Sequence, residues 1–357
     1  MCIGSRSGRA HSIYCILPPH MLAAIAKNGS AKQRSLAIDT LSADHTFRQF
    51  RSVQAATLQP RRAGQMPAVA PVVHRTIYTA KNTETLPGTI VRAEGAKKTK
   101  DPCVDEAYDG LGDTFEFYLE VFQRNSIDDA GMPLIGTVHF GDKYDNAFWN
   151  SQQMVFGDGD GELFNRFTIS LDVIGHELTH GVTEHTAELA YSGQAGALNE
   201  SVSDVFGSLI KQYTLKQTAD KADWLIGAGL LAKGVKGVAL RSMKEPGTAY
   251  DDPVLGKDPQ PSTMSGYVQT TQDNGGVHIN SGIPNRAFCL AALDIGGNAW
   301  EKAGRIWYET LNDSHIKATT GFKSFARLTV SNANRLFGTN SAESKAVTQA
   351  WHQVGVL

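Results

Sequence analysis

The sequence has few of the features that define several large classes of protein. Its 357 residues include only four cysteines, at positions 2, 15, 103 and 289, and no two of them form a Cys-x-x-Cys pair. A disulfide framework and a zinc ribbon are therefore not indicated, and reduced thiols are expected. No apolar run reaches the roughly 18 residues that cross a bilayer, which excludes an integral membrane protein. There is no internal repeat, and the 41% hydrophobic and 20% charged residues are typical of a folded protein.

The chain also has little net charge, but that charge is unevenly distributed. The 34 basic and 36 acidic residues give a formal charge of −2. Nine basic and two acidic residues give residues 1–62 a charge of +7, and 25 basic against 34 acidic residues give the remainder −9. The two parts should attract each other. A basic arm can mark nucleic-acid binding, but these basic residues are scattered among apolar ones and no nucleic-acid-binding motif follows, so no such partner is expected.

The N-terminus only superficially resembles an export signal. Arg6 and Arg9 precede an apolar stretch over residues 13–26, but Pro18 and Pro19 interrupt it. A secretory signal needs an uninterrupted apolar segment of about 7–15 residues. We therefore expect a cytoplasmic protein or one that leaves the cell by a non-classical route.

The pattern along the chain predicts an α+β fold in three parts. Residues 28–72, rich in Ala, Ser, Gln, Arg and Pro, predict a linker or exposed loop. A prosegment over 1–62, a β-rich lobe over 63–170 and a mainly α-helical lobe over 171–357 are expected. The predicted strands cover 75–79, 88–92 and 133–140. The predicted helices cover 113–123, 172–188, 195–213, 281–296, 299–312, 321–337 and 341–353. Asn340 and Glu343 predict a capping box at the last helix.

The strongest chemical signal is the segment His176-Glu177-Leu178-Thr179-His180, which lies within a helical pattern. Residues four apart share one face of a helix, so both imidazoles can reach one metal ion. Glu177 projects about 100° away and can contact a water at the metal without being a ligand. The segment predicts a zinc site with a general base beside it.

A hydrolytic zinc site needs three protein ligands and an open position. Nineteen residues separate His180 from Glu200, and Glu200 and Asp204 lie four apart on a second predicted helix. Glu200 can complete a His₂Glu set. Asp204 can accept a hydrogen bond from the second nitrogen of a ligand histidine, which orients that ring.

These motifs resemble the thermolysin-like neutral metallopeptidases, whose His₂Glu zinc site is a known example of this ligand set. The resemblance covers about residues 75–357 and implies a two-lobed fold with the zinc helix between the lobes. It is carried, beyond the zinc motifs, by segments 146–150, 154–161, 240–243 and 273–282.

The resemblance implies a zinc endopeptidase with one Zn²⁺ per chain that cuts on the amino side of large hydrophobic residues. It implies that Glu177 is the general base, that Tyr191 and His278 stabilise the oxyanion, and that Asp273 orients His278. Asn146, Ala147, Trp149 and Arg241 would bind the substrate backbone. Phe164, Phe167, Val173 and Leu240 would form the pocket for the residue after the cut.

The sequence departs from the family pattern at its calcium positions. Asp172 and Asp223 are kept, but Lys211, Leu225 and Ala228 stand at the other matching positions and Val238 replaces a further aspartate. Calcium needs six to eight oxygen ligands. We therefore expect no structural calcium, with Lys211 supplying the positive charge.

The short N-terminal part is similar to the prosegment of the protealysin subgroup, whose Pro-Pro motif matches Pro18-Pro19. The resemblance implies a zymogen in which the prosegment occupies the cleft as an intramolecular inhibitor, with processing between about residues 50 and 67. Peptide or protein substrates and a monomer are expected. The role of Cys15, as a thiolate near zinc or as a buried thiol, stays open.

Three other functions fit the sequence less well than an endopeptidase. A related aminopeptidase would carry a Gly-x-Met-Glu-Asn motif about thirty residues before the zinc helix, where this chain has Asn146-Ala147-Phe148-Trp149. A catalytically dead binding protein would be free to lose Glu177, which is present. A purely structural zinc would be closed by a fourth protein ligand.

Overall fold

The computed structural model describes residues 14–57 and 71–357. The N-terminal part contains the short strand β1 (Tyr14–Cys15) and the helices α1 (Pro19–Asn28) and α2 (Ala31–Thr57). The loop predicted over 28–72 is therefore wrong for the 27 residues of α2. That stretch holds no Gly or Pro and many good helix formers, so its composition favours a helix. The predicted boundary at 62/63 lies outside the described residues.

A six-stranded sheet forms the first lobe, in the strand order β1-β5-β6-β4-β2-β3. Its other members are β2 (Arg75–Thr83), β3 (Thr89–Ala93), β4 (Leu134–Phe140), β5 (Ala147–Trp149) and β6 (Met154–Phe156). The three predicted strands are confirmed. β1 comes from the N-terminal part and pairs antiparallel with β5, with Tyr14 opposite Trp149 and Cys15 opposite Phe148. The sheet thus carries a strand of the prosegment at its edge.

Helix α3 (Pro102–Phe122) covers this sheet and is longer than the predicted 113–123. Its N-cap is Asp101, whose side chain accepts a hydrogen bond from the Cys103 N–H at 3.0 Å. Pro102 occupies the first helical position, where its missing N–H is not needed. The Asp101-Pro102 pair in the sequence therefore indicates the start of this helix.

The second lobe is mainly helical, as predicted. Its helices are α4 (Leu171–Glu184), α5 (Gly193–Leu215), α6 (Asp273–Asn280), α7 (Gly282–Ile295), α8 (Ala303–Leu311), α9 (Phe322–Phe337) and α10 (Ala342–Gln353). Two short strand pairs join them, β7 (Leu225–Ile226) with β8 (Arg241–Ser242) and β9 (Asp251–Asp252) with β10 (Gly256–Lys257). Among the described residues no helix is both long and apolar enough to cross a membrane.

The predicted capping box at α10 is shifted by one residue. Ser341, not Asn340, is the N-cap, and its hydroxyl accepts a hydrogen bond from the Ser344 N–H at 3.1 Å. Asn340 has a φ of 65°, a left-handed conformation that asparagine tolerates better than most residues. Glu343 pairs instead with Lys302 at 2.7 Å.

Helices α4 and α5 approach each other closely because two glycines face across their contact. A Cβ added to Gly207 would lie 2.3 Å from the Asp172 carbonyl oxygen, and one added to Gly175 would lie 2.6 Å from Ile210 and 3.2 Å from the Gly207 Cα. Real Cβ atoms do not come so close to backbone. The absent side chains let the two helices lie nearly in backbone contact.

A charged triad centred on His139 joins the start of α3 to the sheet. The His139 ring bonds Asp158 through Nδ1 at 2.8 Å and Asp101 through Nε2 at 2.8 Å. The hydrogen bond to Asp158 raises the pKa of His139 to about 9, against a smaller opposing effect of burial and with support from Asp101. His139 is therefore an imidazolium held between two carboxylates at neutral pH.

This triad predicts a pH-dependent contribution to stability. The folded-state pKa of His139 lies above the ordinary 6.5, so its stabilisation is complete below pH 6.5 and is lost as pH rises through about 9. In an inactive Glu177→Gln background, Asp158→Asn should lower the Tm most below pH 6.5, with the difference shrinking toward pH 9. Thermal unfolding across pH measures this. Asp251→Asn, at an exposed position, is the control, and a difference that grows toward pH 9 contradicts the assignment.

Candidate metal centre and substrate cleft

The two histidines of α4 are fully buried and point their Nε2 atoms at one spot. The Nε2 atoms of His176 and His180 are 3.0 Å apart. Each Nδ1 meets an acceptor at 2.8 Å, the Asp204 Oδ1 for His176 and the Asn199 Oδ1 for His180. These acceptors place the ring protons on Nδ1 and leave two Nε2 lone pairs facing each other.

Glu200 on α5 brings a carboxylate to the same spot. Its Oε2 lies 3.5 Å from His176 Nε2 and its Oε1 lies 3.5 Å from His180 Nε2. Oε2 is buried without a hydrogen-bond partner among the described residues. One donor atom from each of the three side chains lies within 4.8 Å of the others. Two imidazole lone pairs and a carboxylate in one buried place fit Zn²⁺, which favours these donors.

Asp204 lies behind His176 and is fully buried. Besides the His176 ring, it accepts hydrogen bonds from Arg241 Nε and Nη2 and from Asn285 Nδ2, each at 2.8 Å. Burial raises the pKa of Asp204, but Arg241 and His176 together outweigh burial and hold the pKa below its ordinary value. Asp204 thus stays ionised and fixes both a predicted metal ligand and a predicted substrate-binding arginine.

The two carboxylate oxygens of Glu177 differ in their hydrogen bonding among the described residues. The Trp149 backbone N–H donates to Oε2 at 3.1 Å. Oε1 is buried and has no hydrogen-bond partner among the described residues. Burial, followed by repulsion from Glu200, raises the pKa of Glu177 well above its ordinary value. The free oxygen and the raised pKa are properties expected of a general base.

Tyr191, His278 and Asp273 meet on the other side of the cleft. The Tyr191 hydroxyl donates to Glu200 Oε1 and lies 3.3 Å from His278 Nε2. Asp273 bonds the His278 ring at Nδ1 over 2.6 Å and accepts its backbone N–H at 2.9 Å. Burial lowers the pKa of His278, but Asp273 and Glu200 together outweigh burial and bring the pKa to about 9. His278 therefore presents an N–H to the cleft.

The start of α6 is kinked in a way that lets Asp273 reach back to His278. Asn274, Gly275 and Gly276 have φ values of 51°, 89° and 75°, all left-handed. Glycine adopts this conformation without the Cβ strain of other residues. A Cβ on Gly275 would lie 3.1 Å from the Gly193 backbone at the start of α5, so the turn also needs close approach.

The N-terminal part occupies the cleft with its backbone. The Cys15 carbonyl accepts from His278 Nε2 at 3.0 Å, and the Ile16 N–H donates to the Ala147 carbonyl at 3.2 Å. The Ile16 carbonyl accepts from Arg241 Nη1 at 3.0 Å. The Leu17 N–H donates to Asn146 Oδ1 at 3.0 Å. Every backbone group here meets a residue that the sequence predicted for substrate binding or catalysis.

Pro18 and Pro19 lie just after this extended stretch. Pro18 is the N-cap of α1, with φ −70° and ψ 144°, and Pro19 is its first residue. The pair thus ends the extended chain and starts a helix, where a missing N–H costs nothing.

The four predicted pocket residues are all buried. Phe164, Phe167, Val173 and Leu240 expose 1% or less of their surface, and they belong to one apolar cluster that also contains Ile16. Burial alone is equally true of core residues. The pocket assignment therefore stays a prediction.

Some site residues were not identified from the sequence. Asn199 is hydrogen-bonded to the His180 ring. Its position directly before Glu200 in the sequence is the signal that could have indicated this role. Asp44 on α2 is buried, accepts from Asn146 Nδ2 at 3.1 Å and is hydrogen-bonded to the Tyr144 hydroxyl. Asp44 lies in the stretch predicted as a loop, so no helical face pointed to it.

Comparison with known proteins gives a consistent result over the whole chain. The family model for the thermolysin metallopeptidase catalytic domain matches residues 44–184, and the one for the thermolysin metallopeptidase alpha-helical domain matches residues 187–356. An extracellular metalloprotease of Pectobacterium carotovorum subsp. carotovorum is 53% identical and covers 98% of each chain. Protease PrtS of Photorhabdus sp. (strain Az29) is 52% identical, covering 96% of this chain and 91% of its own.

A solved structure is similar to nearly the full chain. It is the precursor of protealysin, a metalloproteinase from Serratia proteamaculans, with a TM-score of 0.86 and 56% sequence identity. It covers 96% of this chain and 100% of its own. The similarity therefore includes the N-terminal part as well as both lobes.

The geometry behind His176 predicts a measurable effect of Asp204. Asp204→Asn should weaken zinc binding about 10–100-fold, because the amide is a poorer acceptor for the His176 Nδ1–H. Competition with a chromophoric chelator measures the affinity. Asp252→Asn is the control, because Asp252 is also buried but accepts hydrogen bonds from the backbone N–H groups of Lys236, Val254 and Leu255. This variant should leave zinc affinity unchanged. Equal affinity in the Asp204 variant would remove its role in orienting the ring.

Proposed function

This chain belongs to the thermolysin metallopeptidase family, and from that membership we propose how its residues hydrolyse peptides and how its N-terminal segment restrains them. The chain is a zinc-dependent endopeptidase in zymogen form. One observation carries the assignment of roles. Two imidazoles and a carboxylate converge in one buried place beside Glu177, one carboxylate oxygen of which has no hydrogen-bond partner in the described part of the chain.

His176, His180 and Glu200 would hold the single zinc ion. When bound there, zinc supplies Lewis acidity, which polarises a substrate carbonyl and makes a water molecule easier to deprotonate. Asp204 and Asn199 keep the two rings in the tautomer that offers Nε2. Three protein ligands leave a position for reactants, unlike a closed structural site.

Glu177 moves the proton. Its Oε1 takes a proton from the attacking water, and the resulting carboxylic acid passes that proton to the departing amine. The Trp149 N–H holds Oε2 and so aims Oε1. No covalent intermediate between enzyme and substrate is needed, because water itself is the nucleophile.

Tyr191 and His278 stabilise the negative charge that grows on the carbonyl oxygen. Both are donors on the same side of the cleft, and each such donor contributes typically about 2.7–4 kcal/mol to the transition state. Asp273 keeps His278 protonated and oriented. Arg241, held by Asp204, binds the carbonyl of the residue after the cut.

Substrate specificity follows from β5 and the pocket. Asn146, Ala147 and Trp149 lie on or beside β5, an edge strand that an extended peptide can join by main-chain hydrogen bonds. Phe164, Phe167, Val173 and Leu240 form an apolar pocket next to it. We therefore propose cleavage on the amino side of Leu, Ile or Phe in peptides and proteins.

The N-terminal part is an intramolecular inhibitor in this proposal. It fills the positions that a substrate needs, and its helices are tied to the catalytic lobe by Asp44, by a contact from Lys32 to Glu162 and by a 3.2 Å contact between His20 and Tyr250. Pro18 and Pro19 turn the chain out of the cleft. A prosegment over 1–62 and catalytic lobes over 63–170 and 171–357 remain our division of the chain.

Lys211 supports the proposal that structural calcium is absent near the zinc helix. Its Nζ donates to Asp172 Oδ2 at 2.7 Å, to Asp223 Oδ1 at 2.9 Å and to the Leu225 carbonyl at 2.8 Å. Burial lowers the pKa of Lys211, but Asp172 and Asp223 outweigh it and raise the pKa above its ordinary value. An ammonium thus occupies the place where carboxylates would otherwise need a cation.

The enzyme is proposed to work outside the cell as a monomer on peptides and proteins. The name of the Pectobacterium relative describes an extracellular enzyme. Neither a nucleic-acid nor a membrane partner is part of the proposal. An alternative function, a binding protein with a dead site, is disfavoured because Glu177 and its Trp149 contact are intact.

The general base gives the most direct test. Glu177→Gln should lower kcat for a Leu- or Phe-containing peptide by at least about 10²-fold, because the amide cannot accept a proton. Zinc content should stay at one per chain, since Glu177 is not a ligand. Peptide cleavage and metal analysis on the same preparation, after removal of the prosegment, measure both. Retained activity would overturn the mechanism.

The calcium proposal has its own test. Lys211→Met should lower the free energy of unfolding by about 3–5 kcal/mol, because it leaves Asp172 buried without its cation. Lys221→Met, in an exposed ion pair, is the control. Millimolar calcium should leave the Tm of the unsubstituted chain unchanged. A calcium-dependent rise in that Tm would show that a calcium site exists.

A further inference from the structure

The order of contacts along residues 15–17 gives the direction in which the prosegment crosses the cleft. The carbonyl on the oxyanion donor His278 belongs to Cys15, and the carbonyl held by Arg241 belongs to the next residue, Ile16. Arg241 is the residue proposed to bind the carbonyl after the scissile bond. The chain therefore runs in the direction of a substrate, not in reverse.

The N–H groups agree with this direction. The Ile16 N–H donates to the Ala147 carbonyl and the Leu17 N–H donates to Asn146 Oδ1. β1 pairs antiparallel with β5, with Cys15 opposite Phe148. Four hydrogen bonds from three successive residues thus fix a single register, and a shift by one residue would break all of them.

The side chain of Ile16 agrees with this register. Ile16 is apolar and fully buried, as expected for the residue that would enter the proposed pocket after the cut. The peptide bond between Cys15 and Ile16 therefore lies between the carbonyl bound by His278 and the carbonyl bound by Arg241, which is the position of a scissile bond.

We infer that the zymogen is its own first substrate and cuts itself between Cys15 and Ile16. The inference rests on the proposed function. Water adds to the Cys15 carbonyl carbon, the bond from that carbon to the Ile16 nitrogen breaks, and the proton taken by Glu177 passes to that nitrogen. The products are a fragment of residues 1–15 with a new carboxylate and a chain that begins at Ile16.

The cut does not by itself release the inhibitor. Residues 16 and 17 keep their bonds to Arg241 and Asn146, and α1 stays docked through Met21, Leu22 and Ile25, which are almost fully buried. The buried Asp44 still bonds Asn146. The chain that begins at Ile16 is thus a latent intermediate, and activation needs a second event that removes α1 and α2.

The experiment starts from the full chain, stripped of metal by a chelator, to which one equivalent of zinc is added. Mass spectrometry follows fragment 1–15 and the chain from Ile16 over time. Both should appear before any other cut, with a first-order rate constant that does not change over a 100-fold range of protein concentration. Cleavage of an added peptide should stay low while they accumulate.

Three variants test the register. Ile16→Asp should slow the cut at least about 100-fold, because a carboxylate cannot enter the apolar pocket. Ile16→Leu should retain it, and Ile38→Asp, at an exposed position of α2, should cut at the original rate. In a metal-free Glu177→Gln chain, the amides of Ile16 and Leu17 should be protected from hydrogen exchange, which reports the register without catalysis.

The possible failures are distinguishable. A first cut elsewhere with the Cys15–Ile16 bond intact, a rate proportional to protein concentration, or unprotected Ile16 and Leu17 amides would each overturn the inference. The endopeptidase function would survive these results if the chain freed of its prosegment cleaves a Leu-containing peptide. If that chain binds zinc and cleaves no peptide, the proposed function fails as well.

Discussion

The close packing of α4 on α5 is the constraint on which the site depends. Gly175 and Gly207 remove the side chains that would separate the helices, and a methyl group at Gly207 would lie 2.3 Å from the Asp172 carbonyl. At that separation the side chains of Glu200 and Asp204 on one helix directly reach His176 on the other. Sites built on rigid helices hold their geometry better than sites on loops. His176, His180, Glu200 and Asp204 are all positioned by this contact.

In the proposed mechanism, the same polar groups serve catalysis and inhibition. Asp204 bonds both Arg241 and His176, so the arginine proposed to bind substrate and the proposed metal site share one buried anion. The prosegment uses Arg241, His278, Ala147 and Asn146 and adds Asp44 as an extra partner for Asn146. An inhibitor that uses the catalytic contacts needs no separate binding surface at the reacting centre, and the helices behind it supply the remaining affinity.

Much of this arrangement could be predicted from the sequence, and the misses have physical causes. His176, His180 and Glu200 were identifiable because helical spacing fixes which side chains share a face. Helix α2 was missed because the proline-rich residues that follow it dominated the interpretation of the whole stretch 28–72, and its weak apolar pattern gave no periodic signal. Asp44 lies on this helix and was therefore not identified either. The role of Pro18-Pro19 as a helix start was not evident, because a proline pair predicts a bend but not its direction.

Docking of α1 and α2 also has a consequence for what happens after the chain between α2 and β2 is severed. While the polypeptide is continuous, the inhibitor is tethered beside its site, and its effective concentration is set by the length of the connection. Once that connection is broken, the same contacts must hold a separate molecule against dilution. The volume into which the enzyme is released then becomes a control on its activity, with no change in any contact at the metal.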